Sequence, residues 1–144
     1  MADVNMSQSN PTTTAMKPLN ILIVDDSATM RALLHRVVGL ADLPIGTIYQ
    51  APNGLEALKI LETCSVQAVF TDLNMPVMNG MELLREMAKR DAWKDLLRII
   101  ISTDGSKLRR DEARELNVNL YVEKPFRPEV VRDVLCQIAS ADVL

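Results

Sequence analysis

Short runs of uninterrupted apolar residues, each followed by a stretch with helical spacing, set the narrowest limit on how this chain can fold. The first, Leu19 to Asp26 (LNILIVDD), carries Ile, Leu and Val without alternation until two acids close it. A strand that is apolar at successive positions has both faces covered, as a central parallel strand does. Arg98 to Ser102 (RIIIS) repeats the pattern, and Val66 to Thr71 runs apolar into Asp72. Thr47 to Ala51 (TIYQA) reads as a weaker strand and Leu120 to Glu123 (LYVE) as a short one. Parallel neighbours need a crossover between them, and a helix is the usual one.

The intervening segments supply those helices. Met30, Leu33, Leu34, Val37 and Val38 recur at three- and four-residue steps, which predicts a helix over about Ala28 to Leu40. Asn53 followed by Glu56 reads as a capping box for a helix to about Thr63, with Leu55, Leu58 and Leu61 on its apolar side. Asn79 and Glu82 repeat the pattern ahead of Leu83, Leu84 and Met87. A charged helix is expected from about Lys107 to Leu116. Pro128 suits the first position of a last helix, with Val130, Val131, Val134, Leu135 and Ile138 as its buried stripe. Five β-α units in succession predict an α/β fold: a five-stranded parallel sheet with five helices on its two faces. Residues 1–18 are polar and aperiodic and are expected to form a flexible tail, leaving residues 19–144 as one domain. No output domain is expected after the fifth helix.

Composition removes several function classes. The net charge of −3 speaks against a nucleic-acid surface, which needs an excess of Lys and Arg. Aromatics at 3% are too few for stacking platforms. No apolar run spans a membrane, and no signal peptide is visible at the N-terminus. Cys64 and Cys136 form no CxxC pair and read as small buried apolar residues, while the single His35 reads as a helix-face residue. A reducing, cytoplasmic setting is therefore expected. There is no GxxxxGKS or GxGxxG for a nucleotide.

The chemistry gathers at strand ends. Asp25 and Asp26 close the first strand, Asp72 the third and Ser102 the fourth, and Lys124 follows the fifth. In a parallel sheet these ends share one edge, where ligands bind. Crowded carboxylates repel, and a hard divalent cation such as Mg²⁺ relieves that repulsion. A lysine and a hydroxyl suit phosphoryl oxygens, and an ionised Asp can itself be the nucleophile. The set points to Mg²⁺-assisted phosphoryl transfer onto a carboxylate. Taken alone, Asp26 before Ser27 reads equally well as a helix cap.

LIVDDS, DLNMPVMNG, IIIST and YVEKPF occur in order over about Leu19 to Ser140. On these motifs the chain resembles the response-regulator receiver domains, in particular those that stand alone in chemotaxis. The resemblance implies a flavodoxin-like, doubly wound sheet of order 2-1-3-4-5. It implies that Asp72 accepts the phosphoryl group from a phosphohistidine on a sensor histidine kinase or a histidine-phosphotransfer protein. Asp26 would bind Mg²⁺ (or Mn²⁺) directly and Asp25 largely through water, with Asp72 and the Asn74 backbone carbonyl completing the protein ligands. Ser102 and Lys124 would meet phosphoryl oxygens. Tyr121 would be the switch aromatic, turning inward as Ser102 moves, and the Lys124-Pro125 bond would be cis. Asn74, Thr103 and Asp104 would tune the phosphoryl lifetime; Thr103 stands where the family often has a smaller residue.

The resemblance also implies an output face on the fourth helix, fifth strand and last helix. Lys107, Arg110 and Arg114 share one side of that helix. With Tyr121 they would meet an acidic or amphipathic partner, such as a component of a flagellar motor switch. A solvated stripe balanced by Asp111 and Glu115 is the plainer account. The chain is expected to be monomeric and to turn over nothing but its own phosphoryl group. A phosphorelay intermediate or phosphate sink would share all these features. A phosphorylation-independent adaptor should lack pocket acids or the lysine. A haloacid-dehalogenase-like phosphatase would carry DxD after the first strand, where this chain has adjacent acids.

Overall fold

The computed structural model describes residues 17–143, with side chains described through residue 137. The expected tail over residues 1–18 falls almost wholly outside that range, as does the side chain of Ile138. The strands are β1 (Leu19–Val24), β2 (Ile45–Ala51), β3 (Ala68–Thr71), β4 (Leu97–Ser102) and β5 (Leu120–Glu123). The helices are α1 (Ala28–Gly39), α2 (Gly54–Thr63), α3 (Gly80–Ala88), α4 (Lys107–Glu115) and α5 (Pro128–Val143), with a 3₁₀ turn at Asp91–Trp93. All strand pairs are parallel and the order is β2-β1-β3-β4-β5, the flavodoxin-like arrangement. Among the described residues, no helix is long and apolar enough to cross a membrane.

The sheet explains the unbroken apolar runs. Successive side chains on a strand point to opposite faces. Ile21, Ile23, Phe70, Ile99 and Ile101 face one layer, where they meet Leu34, Val37 and Val38 of α1 and Val131, Val134 and Leu135 of α5. Leu22, Val24, Val69 and Ile100 face the other, against Ala57 and Leu61 of α2, Leu83, Leu84 and Met87 of α3, and Ala113 of α4. β1, β3 and β4 lie inside the sheet and are buried almost throughout; β2 at one edge is mostly half-buried or exposed.

Several details differ from expectation. Strand β2 begins at Ile45, earlier than Thr47, because Leu19 and Ile45 already pair. On α1 Leu33 is exposed, and on α2 Leu55 is exposed while Ala57 takes the inner position. Asn53 caps α2 by accepting from the Glu56 N–H, but the Glu56 carboxylate pairs with Lys59. Among the helices whose caps are described, only α3 has the full capping box, with Asn79 and Glu82 each bonding the other's backbone. Neither cysteine is buried: Cys64 is half-buried and Cys136 exposed. Arg98, placed within an apolar run, is buried; its guanidinium donates to the carbonyls of Trp93 (3.0 Å) and Leu96 (2.6 Å), closing the turn before β4.

Candidate functional site

The carboxyl edge of the sheet delivers the site. Backbone pairing continues one residue past each strand: Asp25 N–H donates to Ala51, Asp72 N–H to Val24 (2.9 Å), and Lys124 N–H to Ser102 (2.8 Å). The side chains at these positions are thus held by the ladder rather than by a loose loop. Asp25, Asp26 and Asp72 each place a carboxylate oxygen within 4.8 Å of the other two. Asp25 is buried, Asp72 half-buried and Asp26 exposed. The cap of α1 is Ser27, whose Oγ accepts from Met30 N–H, so Asp26 is not the helix cap and its side chain is left for the cluster.

Lys124 crosses this cluster. Its Nζ donates to Asp25 Oδ2 at 2.9 Å and to Asp72 Oδ2 at 3.2 Å. Burial opposes the ammonium charge most strongly, but the hydrogen bond to Asp25 and the charges of Asp72 and Asp25 together outweigh it, so Lys124 titrates above its ordinary range. The remaining oxygens are anchored by backbone: Asp25 Oδ1 accepts from Ser27 N–H (2.9 Å), and Asp72 Oδ1 from Leu73 N–H (2.7 Å). The Arg31 guanidinium donates to the Asp25 carbonyl at 2.6 Å. Three carboxylates facing one ammonium leave excess negative charge. An all-oxygen donor set with one exposed member fits a hard divalent cation.

The loop from Asp72 to α3 is tight. Gly80 N–H donates to the Leu73 carbonyl at 2.9 Å, and a Cβ on Gly80 would collide with the Asp72 carbonyl. Only glycine lets α3 start this close to the acidic residue's own backbone. Met78 N–H donates to Pro76 carbonyl (2.7 Å) across Val77, whose φ is 69°. That is a γ-turn with a positive central φ, which for a β-branched residue stores strain of order 1–3 kcal/mol. The Lys124–Pro125 peptide is cis.

Beyond the acids, the buried Ser102 hydroxyl accepts from Asp104 N–H at 3.1 Å, which leaves its own hydrogen to donate. Tyr121 is half-buried, and its hydroxyl donates to the Asp104 carbonyl. Burial and the Asp104 charge push that phenol upward. Ser106 N–H and the neighbouring Arg109 hold the Asp104 carboxyl below its usual range. Thr103 and Asn74 are exposed. On α4, Lys107 and Arg114 both pair with Asp111 (2.8 and 3.0 Å), while Arg110 pairs with Glu123 (3.0 Å) and lies over the Tyr121 ring, 4.6 Å from its centroid. The basic stripe is thus locally neutralised, by Asp111 and Glu123 in place of the expected Glu115. Two features were not foreseen. The Gly80 approach depends on tertiary packing alone. The ion pairs of Arg109 were hidden among the many charges of α4.

Strand-end acids bridged by a lysine on a parallel doubly wound sheet are the arrangement of a receiver-type domain, and comparison with known proteins shows that family. The description "Response regulator receiver domain" matches residues 21–135, and the chain belongs to that family. Within it, the chain is similar to chemotaxis proteins of the CheY type. It is 35% identical over 118 residues to a CheY homolog of Campylobacter jejuni, covering 81% of this chain and 89% of the relative. It is 33% identical over 120 residues to CheY of Pseudomonas aeruginosa, covering 83% and 95%. The solved structure of CheY4 from Vibrio cholerae superposes with a TM-score of 0.76 at 24% identity, over 85% of this chain and 99% of that one. A beryllofluoride-activated DrrB receiver domain gives 0.74 at 18%, over 86% and 99%. At these identities the structures speak for the fold.

Proposed function

We propose that this chain is a phosphorylation switch in which Asp72 takes a phosphoryl group from a phosphohistidine of a sensor kinase or phosphotransfer protein. The observation that carries the reading is Lys124 Nζ bonded to both Asp25 and Asp72 beside a third carboxylate. An Asp72 carboxylate oxygen attacks phosphorus, the P–N bond breaks, and its electron pair leaves with the imidazole nitrogen, giving an aspartyl phosphate. Lys124 turns to the phosphoryl oxygens as their charge shifts, and the Ser102 hydroxyl donates to another. Asp25, Asp26, Asp72 and the Asn74 carbonyl would hold Mg²⁺ or Mn²⁺, which neutralises phosphoryl charge in transfer. Water later attacks phosphorus and breaks the P–O bond, restoring Asp72.

As Ser102 turns toward the phosphoryl group, the strain passes to Asp104 and Tyr121, and the face of α4, β5 and α5 changes for a downstream partner. The relatives' names favour chemotaxis; the receiver resemblance suggests a motor-switch component as target, and a relay or phosphate sink is the alternative. Phosphorylation by a small-molecule phosphodonor with Mg²⁺, read by intact mass, tests the acceptor. It should occur on the wild type and be absent in Asp72→Asn. Equal phosphorylation of both would refute it. Capture with beryllofluoride-loaded protein against Asp72→Asn then separates a motor-switch partner from a phosphotransfer protein.

A further inference from the structure

Beside the acidic cluster, four charges form a linear chain between α3, α4 and the loop after β4. Arg109 Nε lies 3.6 Å from Asp104 Oδ2, and its Nη1 is 2.6 Å from Glu112 Oε1. The other Glu112 oxygen, Oε2, takes Arg85 Nη2 of α3 at 3.2 Å. Arg85 and Arg109 line a polar cavity of about 70 Å³ together with Asn74 and Asn79. Asp104 is in turn fixed to the site: its N–H meets Ser102 Oγ and its carbonyl receives the Tyr121 hydroxyl. Two guanidiniums and two carboxylates cancel. Without Arg109, the group carries a net negative charge next to the segment that Ser102 Oγ holds.

We propose that Arg109 is a positioning residue for phosphoryl transfer to Asp72, neutralising and holding Asp104 at the rim of the site; the inference rests on Asp72 being the acceptor. Glu112 clamps the Arg109 guanidinium, and Arg85 ties that clamp to α3. A bare Asp104 carboxylate repels the incoming phosphoryl dianion, an effect that salt screens. It also loosens the segment that joins Ser102 to Tyr121.

The test uses the full chain with Mg²⁺ and acetyl phosphate at low ionic strength, following Asp72 phosphorylation by intact mass. Surface ion pairs of this kind change rates modestly, so Arg109→Gln is expected to be slowed roughly two- to fivefold. Asp104→Asn placed on top of Arg109→Gln should restore the rate, Arg109→Lys should keep most of it, and high salt should shrink the loss. A merely structural role would show neither the restoration nor the salt dependence. An Arg109→Gln rate equal to wild type, or a loss that Asp104→Asn does not restore, overturns the inference while leaving Asp72 as acceptor. A wild type that gains no phosphoryl group overturns the acceptor reading and this inference with it.

Discussion

Helices α3 and α4 are both nine residues long and lie on the same side of the sheet, yet they are held by different forces. α3 starts with a complete capping box and buries Gly80, Met81, Leu83, Leu84 and Met87. α4 buries Ala113 alone, leaves Leu108 two-thirds exposed, and is fastened by ion pairs to Asp104, Glu123 and Arg85. Apolar burial is not subject to charge screening and is costly to undo; exposed ion pairs are each worth little and are screened. The helix next to Asp72 is therefore held mainly by burial, and the helix next to Tyr121 by contacts that cost less to rearrange.

The contrast can be broken most directly by truncating one leucine in each helix, buried in α3 and exposed in α4. Leu84→Ala should lower stability by about 2–5 kcal/mol, whereas Leu108→Ala should stay within about 0.5 kcal/mol. Urea unfolding reads both, and equal losses would erase the distinction. Mg²⁺ at a hundredfold excess over its Kd should add about 2.7 kcal/mol, reversed by chelation and weakened in Asp26→Asn. Hydrogen exchange should find that protection at the Asp72 loop and start of α3 more than along α4. Asn79→Ala should cost about 1 kcal/mol globally, while Ser106→Ala should chiefly speed exchange in the first turn of α4. At alkaline pH the lysine itself can be read. Lys124 titrates higher folded than unfolded, so its contribution is complete below the ordinary lysine range and fades as pH rises through the folded value. Melting of the wild type, but not of Lys124→Met, should carry that alkaline loss. The smallest expected effect is Glu112→Gln, about 0.2–1 kcal/mol, with faster exchange confined to α4.

How much of this was legible in the sequence follows the same division. The buried strands announced themselves, because Ile99 to Ile101 and Ile21 to Val24 leave no polar face. Adjacent acids, the strand-end Asp72 and Lys124 were legible as soon as parallel strands put their ends on one edge. Which leucine faces inward was less so: Leu55 fits the spacing of α2, but Ala57 lies closer to the sheet. Asp26 and Ser27 are both good caps, and only backbone direction decided between them. The need for glycine at residue 80 was invisible, since it comes from the Asp72 carbonyl rather than from a turn. The pairings of Arg109 depend on how α4 is rotated against α3, which charge patterning along one helix does not encode.

The bond between Lys124 and Asp25 joins residues 99 positions apart. During synthesis the three acids emerge long before the lysine that bridges two of them. A partly made chain with β1 to β4 assembled would present repelling carboxylates and no ammonium between them. The complete pocket arises only when β5 docks as the last edge strand beside β4. Non-local contacts of this kind come late because chain closure is costly. The pocket proposed to take the phosphoryl group is thus complete only in a chain whose sheet is finished through β5, which makes its assembly a readout of folding.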